Sequence, residues 1–149
     1  MGIRSLNILL IEDDPGDVEL IREALQDSKL LLNLHVTGDG VEAMAYLRRE
    51  GVYANAPVPD LILLDLNLPK KDGSQVLKEV KSDDKLKMLP IVVVTTSKAE
   101  EDIVRSYTLG ANCCVTKPVG LNEFMRLVHG ISDFWLTIVR LPTRRNETH

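Results

Sequence analysis

Residues with the chemistry to bind a metal ion or a phosphoryl group lie at the ends of apolar runs along the chain. Three of them are carboxylates, which repel one another when close together, and a hard divalent cation relieves that repulsion. Aspartate accepts phosphoryl groups in covalent catalysis, and a lysine and a hydroxyl can stabilise phosphoryl oxygens. The residues concerned are Glu12, Asp13, Asp65, Thr95 and Lys117.

The oxygen-rich members of this set predict a magnesium site. Mg²⁺ takes only one or two carboxylates directly and keeps several of its waters. We expect Asp13 and Asp65 to be direct ligands, and Glu12 to reach the ion through water. The backbone carbonyl of Asn67, two residues beyond Asp65, would add another oxygen.

The elements that must position these residues follow from the hydrophobic pattern. Apolar runs alternate with helical patterns, which predicts repeated βα units and a parallel sheet. Ligands bind beyond the carboxyl ends of such strands, and residues distant in sequence converge there. We expect Asp14 to cap the first helix, Pro15 to begin it, and residues 48–60 to form an exposed loop. The predicted strands are 6–11, 33–37, 61–64, 91–94 and 113–116.

Composition excludes several classes of protein. The chain has 149 residues, of which 44% are hydrophobic, and a formal net charge of −4. This charge argues against nucleic-acid binding, and no apolar run is long enough to span a membrane. The first residues do not resemble a secretory signal, and the neighbouring Cys113 and Cys114 are poorly placed to pair with each other. We therefore expect a cytoplasmic protein in a reducing compartment.

Four segments resemble the signature segments of response-regulator receiver domains in two-component signalling. They are LNILLIEDD, LILLDLNLPKKDG, PIVVVTTS and VTKP, and the similarity runs in order over residues 6–131. The resemblance implies an α/β, doubly wound, flavodoxin-like receiver fold with a five-stranded parallel sheet and five flanking helices. It also implies a sensor histidine kinase as phosphoryl donor. The chain would be a phosphoacceptor that takes part in its own phosphotransfer and dephosphorylation, and not an enzyme acting on other substrates.

The same resemblance implies a role for each site residue. Asp65 would be the phosphoacceptor, Glu12 and Asp13 the acidic pair, Thr95 the switch hydroxyl and Lys117 the cation that binds the phosphoryl group.

One position departs from the family pattern. Receiver domains usually carry an aromatic residue three positions before the lysine, and this chain has Cys114 there. A thiol is smaller than an aromatic ring and cannot expose or hide one. The departure puts in doubt how a movement of the switch hydroxyl would be read out.

A narrower resemblance links the chain to the stand-alone response regulators of cyanobacterial phytochromes. It rests on loop 48–60, the NLPKKDG turn and the segment GISDFWLTIVRLP. It implies a phytochrome as the kinase and a homodimer with contacts at Phe134, Trp135 and Leu136, although these side chains could instead pack on their own domain. Residues 1–139 would be the receiver domain with a C-terminal helix extension. Residues 140–149 would be a polar tail, with no output domain.

Two other functions stay open from the sequence. A phosphatase or phosphotransferase could use an aspartyl intermediate on outside substrates, but the usual D-x-D motif on the first strand is absent. A receiver fold could also act as an interaction module that does not depend on phosphorylation. The intact acceptor residues argue against this alternative, and Cys114 argues for it.

Overall fold

β-Strands and helices alternate along the chain in the computed structural model, which describes residues 6–26, 32–66, 68, 70–95, 110 and 113–116. The strands are β1 (Leu6–Ile11), β2 (Leu32–Thr37), β3 (Leu61–Asp65), β4 (Ile91–Thr95) and β5 (Cys113–Thr116). The helices are α1 (Pro15–Gln26), α2 (Gly40–Leu47) and α3 (Gly73–Ser82), with a short 3-10 helix at Gly51–Tyr53.

The strands form one parallel sheet in the order β2-β1-β3-β4-β5. Every described pairing is parallel, so all strands end at the same edge of the sheet. The order reverses direction between β1 and β3, which is the point at which open α/β sheets form their ligand crevice. The predicted parallel sheet is therefore confirmed, and it has the topology of a flavodoxin-like fold.

The core lies on both faces of the central strands. On one face α2 and α3 pack against alternate residues of β1, β3 and β4, including Leu9, Ile62 and Val93, which are fully buried. The residues between them, such as Ile8 and Leu63, are also buried, although they point to the opposite face. This two-sided burial explains why β3 reads as a continuous apolar run in the sequence.

The predicted element boundaries agree closely with the structure. Asp14 caps α1 as expected, since its Oδ1 accepts a hydrogen bond from the backbone N–H of Gly16 at 2.8 Å. β2 begins one residue earlier than predicted, and β3 and β4 each include the polar residue that follows the apolar run. The predicted fourth and fifth helices lie outside the described residues and stay predictions. In the described part, no helix has the length and apolar character needed to cross a bilayer.

Loop 48–60 is more ordered than the sequence suggested. It contains the 3-10 helix, and the ring of Tyr53 packs on Tyr46 of α2 with centroids 5.1 Å apart. The Tyr53 hydroxyl donates a hydrogen bond to Glu42, whose other carboxylate oxygen accepts from the Gly38 N–H at 2.9 Å. The loop is thus anchored to both ends of α2.

The tyrosine anchor predicts a loss of stability at alkaline pH. The hydrogen bond to Glu42, helped by partial burial, raises the pKa of Tyr53 to about 12 from a reference value of 10.0. A raised folded-state pKa adds stability that is complete below pH 10 and is lost as the pH rises towards 12. The free energy of unfolding, from urea titrations between neutral pH and pH 11, should fall more steeply with pH in the wild type than in Tyr53→Phe. Parallel curves would contradict this anchor.

Candidate functional site

The pairing of β1 with β3 brings two acids to the same edge of the sheet. Ile11, the last residue of β1, is in register with Leu64, so the residues that follow them, Glu12 and Asp65, lie side by side at the same edge of the sheet. Asp13 comes next after Glu12. Carboxylate oxygens of Glu12, Asp13 and Asp65 all lie within 4.8 Å of one another. The convergence predicted from strand ends is observed for these three residues, which we call the acidic cluster.

The acidic cluster is only partly open to solvent. Glu12 is 2% exposed and Asp65 is 5% exposed, whereas Asp13 is exposed. The backbone N–H of Glu12 donates to the carbonyl of Thr37 at 3.0 Å, which ties it to the end of β2. Its Oε2 accepts from the Asp14 N–H at 3.1 Å. Glu12 is therefore held in place by two neighbouring segments, and Asp13 provides the solvent-facing side of the cluster.

The three consecutive acidic residues Glu12, Asp13 and Asp14 have two different roles. Asp14 caps α1 and is not a member of the acidic cluster. Glu12, by contrast, is buried at the strand end. A solvated helix N-terminus would explain Asp14 alone, since short polar side chains stabilise the first helical turn. It does not explain a buried glutamate beside a buried aspartate.

The backbone at the start of α3 packs closely against the residues at the end of β3. The N–H of Gly73, the first residue of α3, donates to the carbonyl of Leu66 at 3.0 Å. A Cβ atom on Gly73 would overlap the Asp65 carbonyl oxygen and the Leu66 backbone. Glycine is required here because the backbone of α3 approaches the end of β3 more closely than any side chain allows. The contact fixes the path of the chain immediately after the cluster.

The turn between β3 and α3 is held by contacts that the sequence pattern does not predict. Lys70, which has a left-handed φ of 65°, lies 3.5 Å from Asp39, the N-cap of α2. Lys71 forms an ion pair with Glu79 on α3. A Cβ atom on Gly40 would overlap Lys71, so α2 packs directly on this turn. Glycine has a low helix propensity. Its presence at position 40, the start of α2, is the one feature of the sequence that points to this close contact.

The donor set of the acidic cluster fits a hard divalent cation. Three carboxylates offer oxygen ligands without sulfur or nitrogen, which suits Mg²⁺ or Mn²⁺. Two of the three are buried, so water screens their mutual repulsion poorly, and a bound cation would remove much of that cost. Asp13, Asp65 and Glu12 are the residues that would hold such an ion.

The remaining predicted residues are placed only in part. Thr95 is the last residue of β4, one position beyond Val94, which is in register with Asp65. Cys114 on β5 is in register with Val93. The other predicted site and contact residues, Asn67, Lys117, Phe134, Trp135 and Leu136, lie outside the described residues.

Comparison with known proteins gives one consistent family. A family model of the response regulator receiver domain matches residues 8–129. The chain is 49% identical over 135 residues to Response regulator Rcp1 of Synechocystis sp. (strain PCC 6803), covering 91% of this chain and 92% of that protein.

Solved structures agree with the sequence relatives. The fold is similar to that of the phosphorylated cyanobacterial phytochrome response regulator RcpA, with a TM-score of 0.85 and 52% identity, covering 93% of this chain and 99% of that one. It is also similar to the Mn²⁺-bound form of Rcp1, with a TM-score of 0.83 and 48% identity, covering 92% and 99%.

The acidic cluster predicts divalent-cation binding that depends on its members. Isothermal titration calorimetry with Mg²⁺ and Mn²⁺ should show one site, and Asp13→Asn or Asp65→Asn should weaken it by about tenfold or more. Asp14→Asn is the matched control, because asparagine also caps helices and the same charge is removed one residue away. It should weaken binding by about threefold at most, as expected for a screened exposed charge. Equal losses in all three variants would show that overall charge, and not the cluster, attracts the ion.

Proposed function

The chain belongs to the response-regulator receiver domain family, and we propose that it is a stand-alone response regulator that accepts a phosphoryl group from a sensor histidine kinase on Asp65. The observation that carries the proposal is the acidic cluster at the strand-order reversal of the sheet. Asp65 is the member that ends a central strand whose residues are all buried.

The proposed transfer needs little covalent chemistry from the protein. A carboxylate oxygen of Asp65 attacks phosphorus, an O–P bond forms, and the N–P bond of the kinase phosphohistidine breaks. The electron pair of the broken bond stays on the imidazole. Lys117 and the Thr95 hydroxyl are proposed to contact the phosphoryl oxygens and to stabilise their charge. The chain is thus a phosphoacceptor that takes part in its own phosphotransfer and dephosphorylation, and not an enzyme with outside substrates.

The metal in this proposal is Mg²⁺, which neutralises charge between the carboxylates and the phosphoryl oxygens when bound. Asp13 and Asp65 are the proposed direct ligands, Glu12 the ligand through water, and the Asn67 carbonyl a further ligand. The Mn²⁺-bound form of the similar protein Rcp1 and the all-oxygen chemistry of the cluster support this assignment. The negative charge of the cluster would repel an anionic phosphoryl donor until the cation is present.

The partner and output are proposed from similarity to named relatives. RcpA is a cyanobacterial phytochrome response regulator, and we propose a phytochrome as the kinase for this chain. We also propose that residues 1–139 complete the five-helix receiver fold and that 140–149 form a polar tail. The output is a protein contact in the cytoplasm, formed by a homodimer through Phe134, Trp135 and Leu136.

A second function is favoured by one residue. Cys114 stands where receiver domains usually place an aromatic side chain on the last strand, so this chain lacks the ring through which such domains usually read out phosphorylation. A receiver fold that binds its partners regardless of phosphorylation would need no such residue. The two functions differ in whether the partner contacts change when Asp65 is phosphorylated.

Phosphorylation of Asp65 is tested directly by intact-mass spectrometry. Incubation with Mg²⁺ and acetyl phosphate, or with a phosphorylated phytochrome kinase, should add the mass of one phosphoryl group, and base should remove it. The gain should be absent in Asp65→Asn and retained in Asp14→Asn. A gain that survives Asp65→Asn would overturn the assignment.

Size-exclusion chromatography of the same samples tests the output. We expect the phosphorylated wild type to shift towards a dimer and Asp65→Asn to show no shift. An identical elution position with and without phosphorylation, together with equal kinase binding, would favour the phosphorylation-independent module.

A further inference from the structure

A groove of about 810 Å³ lies at the opposite edge of the sheet from the acidic cluster. It is formed by the end of α2, the loop that precedes β3 and the loop that precedes β4, so it lies at the amino ends of these strands. None of the residues assigned to the proposed phosphoryl or metal site lines it. We propose that this groove binds an extended acidic peptide segment of a partner protein, with an apolar side chain in the groove and carboxylates on Arg49 and Lys85.

The lining of the groove has the apolar surface that such a segment requires. Side chains of low polarity from both loops and the end of α2 contribute to it, and the loops also carry apolar residues that face solvent. Of the four exposed large hydrophobic residues in the described part of the chain, three lie in these two loops: Val52 is 93% exposed, Val58 56% and Met88 83%. Val58 lines the groove itself, and exposed apolar surface within a groove marks an interaction site. The apolar lining residues are Leu47, Pro57, Val58, Pro59, Leu86 and Leu89.

The charges along the groove favour an acidic occupant. Arg48 is paired with Glu79 at 3.5 Å, and Asp84 with Lys87 at 3.2 Å. The Asp83 carboxylate accepts the backbone N–H of Lys85 at 2.8 Å and so caps the turn that follows α3.

Two positively charged side chains of the groove take no part in these contacts. Arg49 and the side-chain ammonium of Lys85 have no acidic partner among the residues that the structure describes. The charged side chains that line the groove are three cations (Arg48, Arg49 and Lys85) and two carboxylates (Asp83 and Asp84), which leaves a surplus of one positive charge on a protein whose net charge is −4. Oppositely charged patches steer partners into place, and this surplus selects an acidic one. The apolar lining favours a peptide over a polynucleotide, whose phosphates would gain nothing from it.

Arg49 occupies a backbone position that suits glycine. The N–H of Glu50 donates to the Ala45 carbonyl at 2.9 Å, and the N–H of Arg49 to the Tyr46 carbonyl at 3.1 Å. This is the Schellman pattern, in which the residue after the helix cap takes a left-handed conformation, usually with glycine. Arg49 adopts it with φ of 57°. An arginine kept in a strained conformation at the rim of a groove is consistent with a binding role, because functional sites are where such strain is tolerated.

Fluorescence anisotropy tests the proposal with defined probes. A short fluorescein-labelled peptide containing Asp-Glu-Leu-Phe-Asp-Glu should bind, and binding should weaken with added salt. A peptide with lysine in place of its acids, and one with serine in place of Leu-Phe, should each bind at least about tenfold more weakly. Amide chemical shifts in an NMR titration should change at residues 48–59 and 83–89. Equal binding of the acidic and lysine peptides, or shifts confined to the carboxyl edge, would overturn the proposal.

Variants of the protein separate binding from folding. Arg49→Asn should raise the Tm, because asparagine tolerates a positive φ, and should still weaken peptide binding by about threefold to fivefold. Lys85→Gln should weaken it similarly, and the double variant by about tenfold or more. Lys78→Glu on the exposed side of α3 is the matched control and should bind as the wild type does. Asp65→Asn should also bind normally, so a failure of the proposed phosphorylation would not affect this test.

One further result would assign the groove differently. If the peptides do not bind, and the Arg49→Asn, Lys85→Gln double variant instead loses a concentration-dependent dimer in light scattering, the groove contacts a second copy of the chain. That result would overturn the proposal of an acidic peptide partner.

Discussion

The chemistry proposed for the site depends on how three carboxylates are held close together at the carboxyl edge of the sheet, where like charges repel one another. Glu12, Asp13 and Asp65 have oxygens within 4.8 Å of one another, and two of the three side chains are buried. Burial removes the water that would screen their charges, so the cost of keeping them together is greater than it would be on an open surface. A divalent cation held by these carboxylates would relieve this cost. The function proposed for Asp65 depends on that relief, because a phosphoryl group brings further negative charge to the same place.

Strand pairing and close backbone contacts around the cluster hold the three carboxylates in place. β1 and β3 pair directly up to the two acids, and their apolar residues are buried on both faces of the sheet. Behind Asp65 the backbone of Gly73 approaches too closely for any side chain, and Gly40 brings the start of α2 onto the same turn. α2 therefore connects the two edges of the sheet: its first turn packs beside the site, and its last residues line the groove at the other edge. Rigid packing of this kind keeps the charged groups in position.

Hydrophobic periodicity was sufficient to predict the strands and the edge at which the acids meet, because a buried parallel strand leaves a continuous apolar run that ends at a polar residue. The role of Asp14 was also predictable, since helix capping is a local interaction. The ion pair of Lys70 with Asp39 was not, because it joins segments whose proximity is decided by the packing of α2. The left-handed Arg49 was missed for a similar reason: glycine is the usual signal for that conformation, and it is absent there. The roles of Thr95 and Lys117 stay predictions.

The repulsion within the acidic cluster is tested most directly by the stability of Asp13→Asn with and without Mg²⁺, measured as the free energy of unfolding in urea. In the metal-free protein the variant should be more stable than the wild type, because one of the repelling charges is gone. At saturating Mg²⁺ the order should reverse, since an ion that binds the folded state at about 100 times its Kd adds about 2.7 kcal/mol, and the variant has lost a ligand. A wild type that is more stable under both conditions, or that does not respond to Mg²⁺, would contradict this account.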